Sequence, residues 1–238
     1  MPAQRSCRVF WAGPVDPDTA PGLHALLDVH ERERMDRLRR AADRARYLAA
    51  HALVRLVLAP LVGRPAAQLR FARRCRCGAE HGKPTHPGGP AFSLTHGGDL
   101  VGVAVQLDGD GPIGLDVEPV RALTDLAGMV RHVGSAAELA RRPEWSPDAF
   151  FRTWTRKEAL LKATGDGLAE PMTAITLGPD GVEDWCGAGA PAGPVWLRDL
   201  QPRPGYRAAV AGLGPPPATV VETDAEPLLA AHRGAPVR

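Results

Sequence analysis

The sequence predicts an α+β fold, and three observations carry that expectation. A long helical pattern over residues 21–61 is followed by two short strand-like runs that meet at a turn. The second half has its own strand-like run, then helical segments, then further short strands. Between the halves, Asp108-Gly109-Asp110-Gly111-Pro112 is built from turn-forming residues and marks a division. Helices and strands grouped in this way, rather than strictly alternating, belong to α+β architectures.

Taken in order, Arg8-Val9-Phe10-Trp11-Ala12 reads as an opening strand. The helical region is expected to break near residues 28–30. Its clearest part is the apolar stripe Leu48, Ala52, Leu53, Leu56 and Val57, halted by Pro60 and Gly63. Residues 75–90 read as loop. Strands are expected at 91–95 and 100–105 around the Gly97-Gly98-Asp99 turn, and a third at 112–118. Helices follow over 123–141 and 146–164, the second opened by Ser146-Pro147 and stopped by Gly165. Strands near 174–177, 195–200 and 206–211 come next, with a Gly/Pro/Ala loop at 188–194. Pro215-Pro216-Pro217 opens a tail with a strand at 219–221 and a short helix at 226–232. Two units are expected, 1–110 and 111–238, the second ending in this Pro-rich tail.

With 238 residues the chain can bury a full core, and a formal charge of +2 supplies no field that demands nucleic acid. Arginines 32, 34, 37, 39, 40, 44 and 46 are interleaved with Glu31, Glu33, Asp36 and Asp43. That is the pattern of a solvated helix, with one or two arginines free for ligand phosphates. No apolar run approaches the roughly 20 residues of a membrane span, and the N-terminus lacks a signal-peptide core. A cytoplasmic protein with no membrane partner is therefore expected. Four cysteines do not make a disulfide framework. Cys75-Arg76-Cys77, with His81 and His86, has the wrong spacing for structural zinc and reads as a turn.

Two stretches carry chemistry. In Ile113-Gly114-Leu115-Asp116-Val117-Glu118 the strand period puts Asp116 and Glu118 on one face, opposite an apolar face. Like charges side by side call for a cation or donors between them. In the helix Trp154-Thr155-Arg156-Lys157-Glu158-Ala159-Leu160-Leu161-Lys162, residues 154, 158 and 162 fall on one stripe. A hard-metal site beside a stripe bearing one acid and one base suits phosphoryl or phosphodiester chemistry.

The order Gly-x-Asp-x-Glu followed by Trp-x-x-Lys-Glu-Ala-x-x-Lys resembles the 4′-phosphopantetheinyl transferases of the surfactin-synthetase-activating type. Gly82-Lys83-Pro84 and Phe92-Ser93-Leu94-Thr95-His96 resemble that family's upstream elements, and the likeness runs from about Glu31 to Gly167. The resemblance implies two similar α+β subdomains related by a pseudo-twofold, with the cofactor in the cleft between them, and a monomer rather than the trimer of the short carrier-protein synthases. It implies transfer of 4′-phosphopantetheine from coenzyme A, the co-substrate, to a serine of an apo acyl or peptidyl carrier protein in polyketide or nonribosomal peptide assembly, with Mg²⁺ (or Mn²⁺) as cofactor and release of 3′,5′-ADP.

Residue by residue, it implies metal ligation by Asp116 and Glu118, with Glu138 as third ligand. Ser135-Ala136-Ala137-Glu138 is equally a capping box, so Glu138 has two readings. Glu158 is implied as general base, with Asp116 and Lys162 also catalytic. Lys157, Glu158, Lys162 and Asp116 face the cofactor together with Lys83, Thr95, His96, Arg46 and Arg34. Two departures stand out: Tyr47 where some relatives carry a small hydroxyl, and Glu31 where some carry lysine. Trp154, Phe150 and Phe151 read as packing, and Arg121, Arg131, Arg141 and Arg142 as the carrier-docking side. The alternative is a non-catalytic coenzyme A or carrier-binding module; a Mg²⁺-dependent nucleotide hydrolase is disfavoured, since no Gly-x-x-x-x-Gly-Lys-Ser/Thr loop occurs.

Overall fold

A computed structural model of the chain describes residues 5–73, 82–107, 111–165, 167 and 170–234. The candidate zinc residues Cys75, Cys77 and His81 lie outside this range. Residues 5–73 hold β1 (Ser6–Ala12) and three helices, α1 (Pro21–Leu26), α2 (Val29–Asp36) and α3 (Ala41–Val62). The expected break near residues 28–30 is the start of α2. There Asp28 caps the helix and Glu31 returns the bond to the Asp28 amide. A second break precedes α3, which ends on Gly63 at φ 64°.

Strands β2 (Phe92–Gly97) and β3 (Leu100–Leu107) form the expected hairpin. Two sheets hold the fold. The first has the order β2-β3-β1 and then residues Thr219–Asp224, and the second is made of β4 (Ile113–Pro119), β8 (Tyr206–Leu213) and β7 (Val195–Leu200). Strand β9 (Thr219–Asp224) pairs parallel with β1, whereas β1–β3 and β2–β3 are antiparallel. Between β4 and β7 lie α4 (Leu126–Val133), α5 (Ala136–Arg141), α6 (Pro147–Thr164) and the small pair β5 (Ile175–Leu177) and β6 (Val182–Trp185); α7 (Glu226–Ala230) follows β9. The helical expectation over 123–141 resolves into α4 and α5 around Gly134.

Strand alternation sorts the apolar residues into three layers. On β3, Val101, Val103 and Val105 pack against α3, while Leu100 and Ala104 face the second sheet. On β8, Ala209 and Ala211 face α6, and Ala208 and Val210 meet the first sheet. The result is a helix–sheet–sheet–helix stack with α3 and α6 outermost.

Contrary to the sequence expectation, α3 is long and apolar enough, by length and composition, to span a membrane. Its residues Tyr47 through Leu58 are all buried in the first core, Arg55 among them. That apolarity serves packing in this fold.

The β2–β3 turn is clamped from three sides. Arg46 donates to Gly98 O (3.0 Å), Arg203 donates to Asp99 O, and the Asp99 amide donates to Tyr206 Oη (2.9 Å). Gly98 adopts φ 55°, and a Cβ there would run into the Tyr206 hydroxyl. Tyr206→Phe removes one bond at an exposed amide, so chemical denaturation should show a loss of about 1 kcal/mol or less.

Candidate active site

Strand β4 sends Ile113, Leu115 and Val117 into the layer between the sheets and turns Gly114, Asp116 and Glu118 toward α6. Gly114 is where α6 comes closest: a Cβ would meet Ala159 O and Ala163 N of the helix backbone. That approach lets Lys162 reach across. Its ammonium donates to Asp116 Oδ1 (2.7 Å), Leu115 O (3.0 Å) and Thr95 Oγ1 (3.3 Å). Thr95 also donates to Asp116 Oδ1 (3.3 Å). One carboxylate oxygen of Asp116 is thus held by two groups. The other, Oδ2, is buried and has no hydrogen-bond partner among the described residues.

Three carboxylates share this region. Burial pushes the Glu118 pKa up to about 7, with Asp116 and Glu158 adding to the rise and Arg121 and Lys162 opposing it. Burial and Asp116 likewise raise Glu158, with Lys162 working the other way. Glu158 itself is half-buried and makes no hydrogen bond or ion pair among the described residues. The acid that shares the field of Asp116 and Glu118 is therefore Glu158.

Two of the expected site residues go elsewhere. Lys157 lies about 100° around α6 from Glu158 and points into the core. Its side chain is fully buried, and its three donors reach Glu138 Oε2 (2.6 Å), Val133 O (2.7 Å) and Met172 O (3.1 Å). Glu138 also accepts from the Ser135 amide (2.7 Å) and the Leu177 amide (2.9 Å). With the ammonium's donors and both Glu138 oxygens committed, neither residue serves the cleft. Glu138 is the helix cap and not a ligand beside Asp116, and Lys157 is its buried counter-ion. Among the described residues no three His, Cys, Asp or Glu side chains come together as a ready-made metal cage.

A cationic fringe surrounds the carboxylates. Lys83 donates to Ile113 O, and its pKa is lowered to about 8 by burial and then by the neighbouring Lys162 charge. His96 is lowered by surrounding protein, then by Lys162, Arg46 and His51. Positive groups crowded this way favour an anion between them. Arg46, at the start of α3, also pairs with Asp43 (2.5 Å). Its neighbour Tyr47 faces a separate cleft of about 400 Å³ that Arg34 lines. Trp154 packs on Phe150, with ring centroids 5.9 Å apart, and Phe150 and Phe151 are buried, as expected of packing residues.

Glu31, one of the two departures, is accounted for. It is 1% exposed and accepts from His51 Nδ1 (2.9 Å), Arg55 (2.5 and 3.2 Å), Arg73 (2.7 Å) and the Asp28 amide (3.0 Å). Burial works to raise its pKa, but His51 and Arg55 overcome that and bring it down to about 2. Sequence reading overlooked Arg73, because its anchor lies 42 residues away.

The sequence profile of the 4′-phosphopantetheinyl transferase superfamily matches residues 112–201, which span Asp116, Glu118, Glu158 and Lys162. The 4′-phosphopantetheinyl transferase HetI of Nostoc sp. (strain PCC 7120) is 31% identical over 212 residues, covering 86% of this chain and 87% of that protein. The 4′-phosphopantetheinyl transferase ffp of Bacillus subtilis is 27% identical over 218 residues, 87% and 91% of the two chains. The 4′-phosphopantetheinyl transferase AcpT of Salmonella typhimurium is 41% identical over 92 residues, 36% of this chain and 47% of its own.

Proposed function

The chain belongs to the 4′-phosphopantetheinyl transferase superfamily and is an enzyme of that kind, and from that premise we propose that it moves the 4′-phosphopantetheine group of coenzyme A onto a serine hydroxyl of an apo carrier protein, releasing 3′,5′-ADP. The observation that carries this reading is Asp116: buried, fixed through one oxygen by Lys162 and Thr95, with the other oxygen free of any hydrogen-bond partner among the described residues and two further carboxylates nearby.

An unpartnered buried carboxylate oxygen and a neighbouring acid with a raised pKa fit a hard divalent cation. A site with few carboxylates, completed by substrate phosphates, suits Mg²⁺. Asp116 and Glu118 would hold it, and when bound it supplies charge that polarises the diphosphate ester and stabilises the departing phosphate. Lys83, Lys162, His96 and Arg46 form the anion-facing rim that orients the diphosphate. Glu158 accepts the serine proton, its raised pKa bringing its basicity closer to neutral pH. Lys162 keeps Asp116 oriented and adds positive charge beside the leaving side. We further propose that the fold has two pseudo-twofold halves divided near residue 110, with β9 and α7 of the tail returning to the first half, the cleft between the halves and a monomer in solution.

The direct test is intact-mass analysis of several apo carriers incubated with this protein and coenzyme A, with and without a chelator. A gain of one phosphopantetheine mass that the chelator suppresses is the expected result. Coenzyme A binding without mass gain on any carrier would favour a binding module instead.

Metal binding has a pH signature. The Glu118 pKa of about 7, against 4.5 ordinarily, means the folded protein holds this proton more tightly than the unfolded chain. The associated stability is complete below pH 4.5 and is lost as pH rises through about 7. A cation binds the ionised form and offsets that loss. Mg²⁺ should therefore raise the melting temperature more at about pH 8 than at about pH 6, and Glu118→Gln should flatten the difference.

A further inference from the structure

One peptide group at the tip of the β2–β3 hairpin is held by α3 on one side and by β8 on the other. The carbonyl of Gly98 accepts from Arg46 Nη1 (3.0 Å). The amide of the same peptide, that of Asp99, donates to Tyr206 Oη (2.9 Å). A peptide group is planar, so whatever fixes its N–H also fixes the direction of its C=O. Tyr206 thereby orients the acceptor that holds Arg46. Tyr206 is itself braced. The Arg203 guanidinium lies over its ring, 5.2 Å from the centroid, and donates to the next carbonyl, Asp99 O.

The second observation is where this tip sits. In the β4–β8 ladder Tyr206 is paired with Pro119, the residue after Glu118. A Cβ at Gly97 would run into Val117 O, and one at Gly98 would meet both Pro119 and Tyr206. The tip therefore lies directly on the end of the strand that carries Asp116 and Glu118. Two residues before Gly97, Thr95 donates to Asp116 Oδ1 and accepts from Lys162. A displacement of the tip would be felt by Arg46 on one side and by this junction on the other.

Resting on the transferase reading above, we propose that Tyr206, braced by Arg203, is a positioning residue for coenzyme A: through the Gly98–Asp99 peptide it aims Arg46 at the anion-facing rim. Its action runs through Arg46, and Arg46 is the residue that meets the ligand. The role belongs to a side chain on β8, remote in sequence from the helix it serves.

Calorimetric titration with coenzyme A and steady-state carrier loading test this on four proteins: the parent, Tyr206→Phe, Arg46→Ala and the double variant. Tyr206→Phe should weaken coenzyme A binding and raise its KM by about three- to fivefold, the scale of one modest hydrogen bond, with kcat within about twofold of the parent. In the Arg46→Ala background the same change should add nothing, since the residue it acts through is gone. Arg203→Ala should give a smaller shift of the same kind. A brace that serves stability alone would lower the melting temperature and leave coenzyme A affinity unchanged well below the melt. That result overturns the proposal, as does a Tyr206→Phe effect of full size in the Arg46→Ala background. An unmodified protein that binds coenzyme A but adds no mass to any carrier refutes the transfer reading alone, and the dissociation constants still decide the role of Tyr206. An unmodified protein that does not bind coenzyme A overturns both.

Discussion

Changing Asp116 to asparagine is expected to lower kcat/KM for carrier loading by about a thousandfold, the scale seen when a preorganised charge is removed from a reacting centre. The substitution keeps shape and burial, so the fold should survive. What disappears is the charge that pairs with Lys162 at 2.7 Å and the oxygen left without a hydrogen-bond partner among the described residues. Mg²⁺ titration should then give no measurable shift of the melting curve. Glu158→Gln makes a useful contrast: it should depress kcat with little change in coenzyme A affinity, because a proton acceptor matters at the step and not in binding. Asp116→Asn retaining activity within tenfold of the original would remove the basis of the proposed mechanism.

The second large effect is on stability. Lys157→Met strands the Glu138 carboxylate in the core, and losing one member of a buried pair costs about 3–5 kcal/mol. Both side chains lie almost wholly out of solvent, at 0% and 8% exposure. The double change Lys157→Met with Glu138→Leu should recover most of that loss, minus about 1 kcal/mol for the helix cap that Glu138 completes on α5. Denaturant unfolding of the two single variants and the double variant closes the cycle. A Lys157→Met variant as stable as the parent would show that the pair contributes nothing.

These two cases also mark how far the sequence could be read. Asp116 and Glu118 were legible because a period of two is local, and the apolar residues between them fix which face is buried. Glu158 and Lys162 were legible from helical spacing. Lys157 and Glu158 are neighbours in one motif, yet a step of about 100° separates core from cleft, and attending to that angle alone would have divided their roles. The capping signal at Ser135 was visible, and its geometry governs Glu138. Strand β6 was missed since Val182-Glu183-Asp184-Trp185 shows no clean apolar alternation. Arg73 was missed for a different reason: a tether across 42 residues leaves no trace in local pattern. The arrangement of the tail in the first sheet is likewise a long-range fact.

That last arrangement bears on how the molecule is made. Residues 6–12 take one of their two neighbouring strands from residues 219–224. On a ribosome, β1 can find β3 early, but its other flank must wait until residues 219–224 have emerged. During that interval a row of unpaired amides and carbonyls lies open to capture by other nascent chains. The β1–β9 pairing is thus the last strand pairing of the first sheet that the order of synthesis allows.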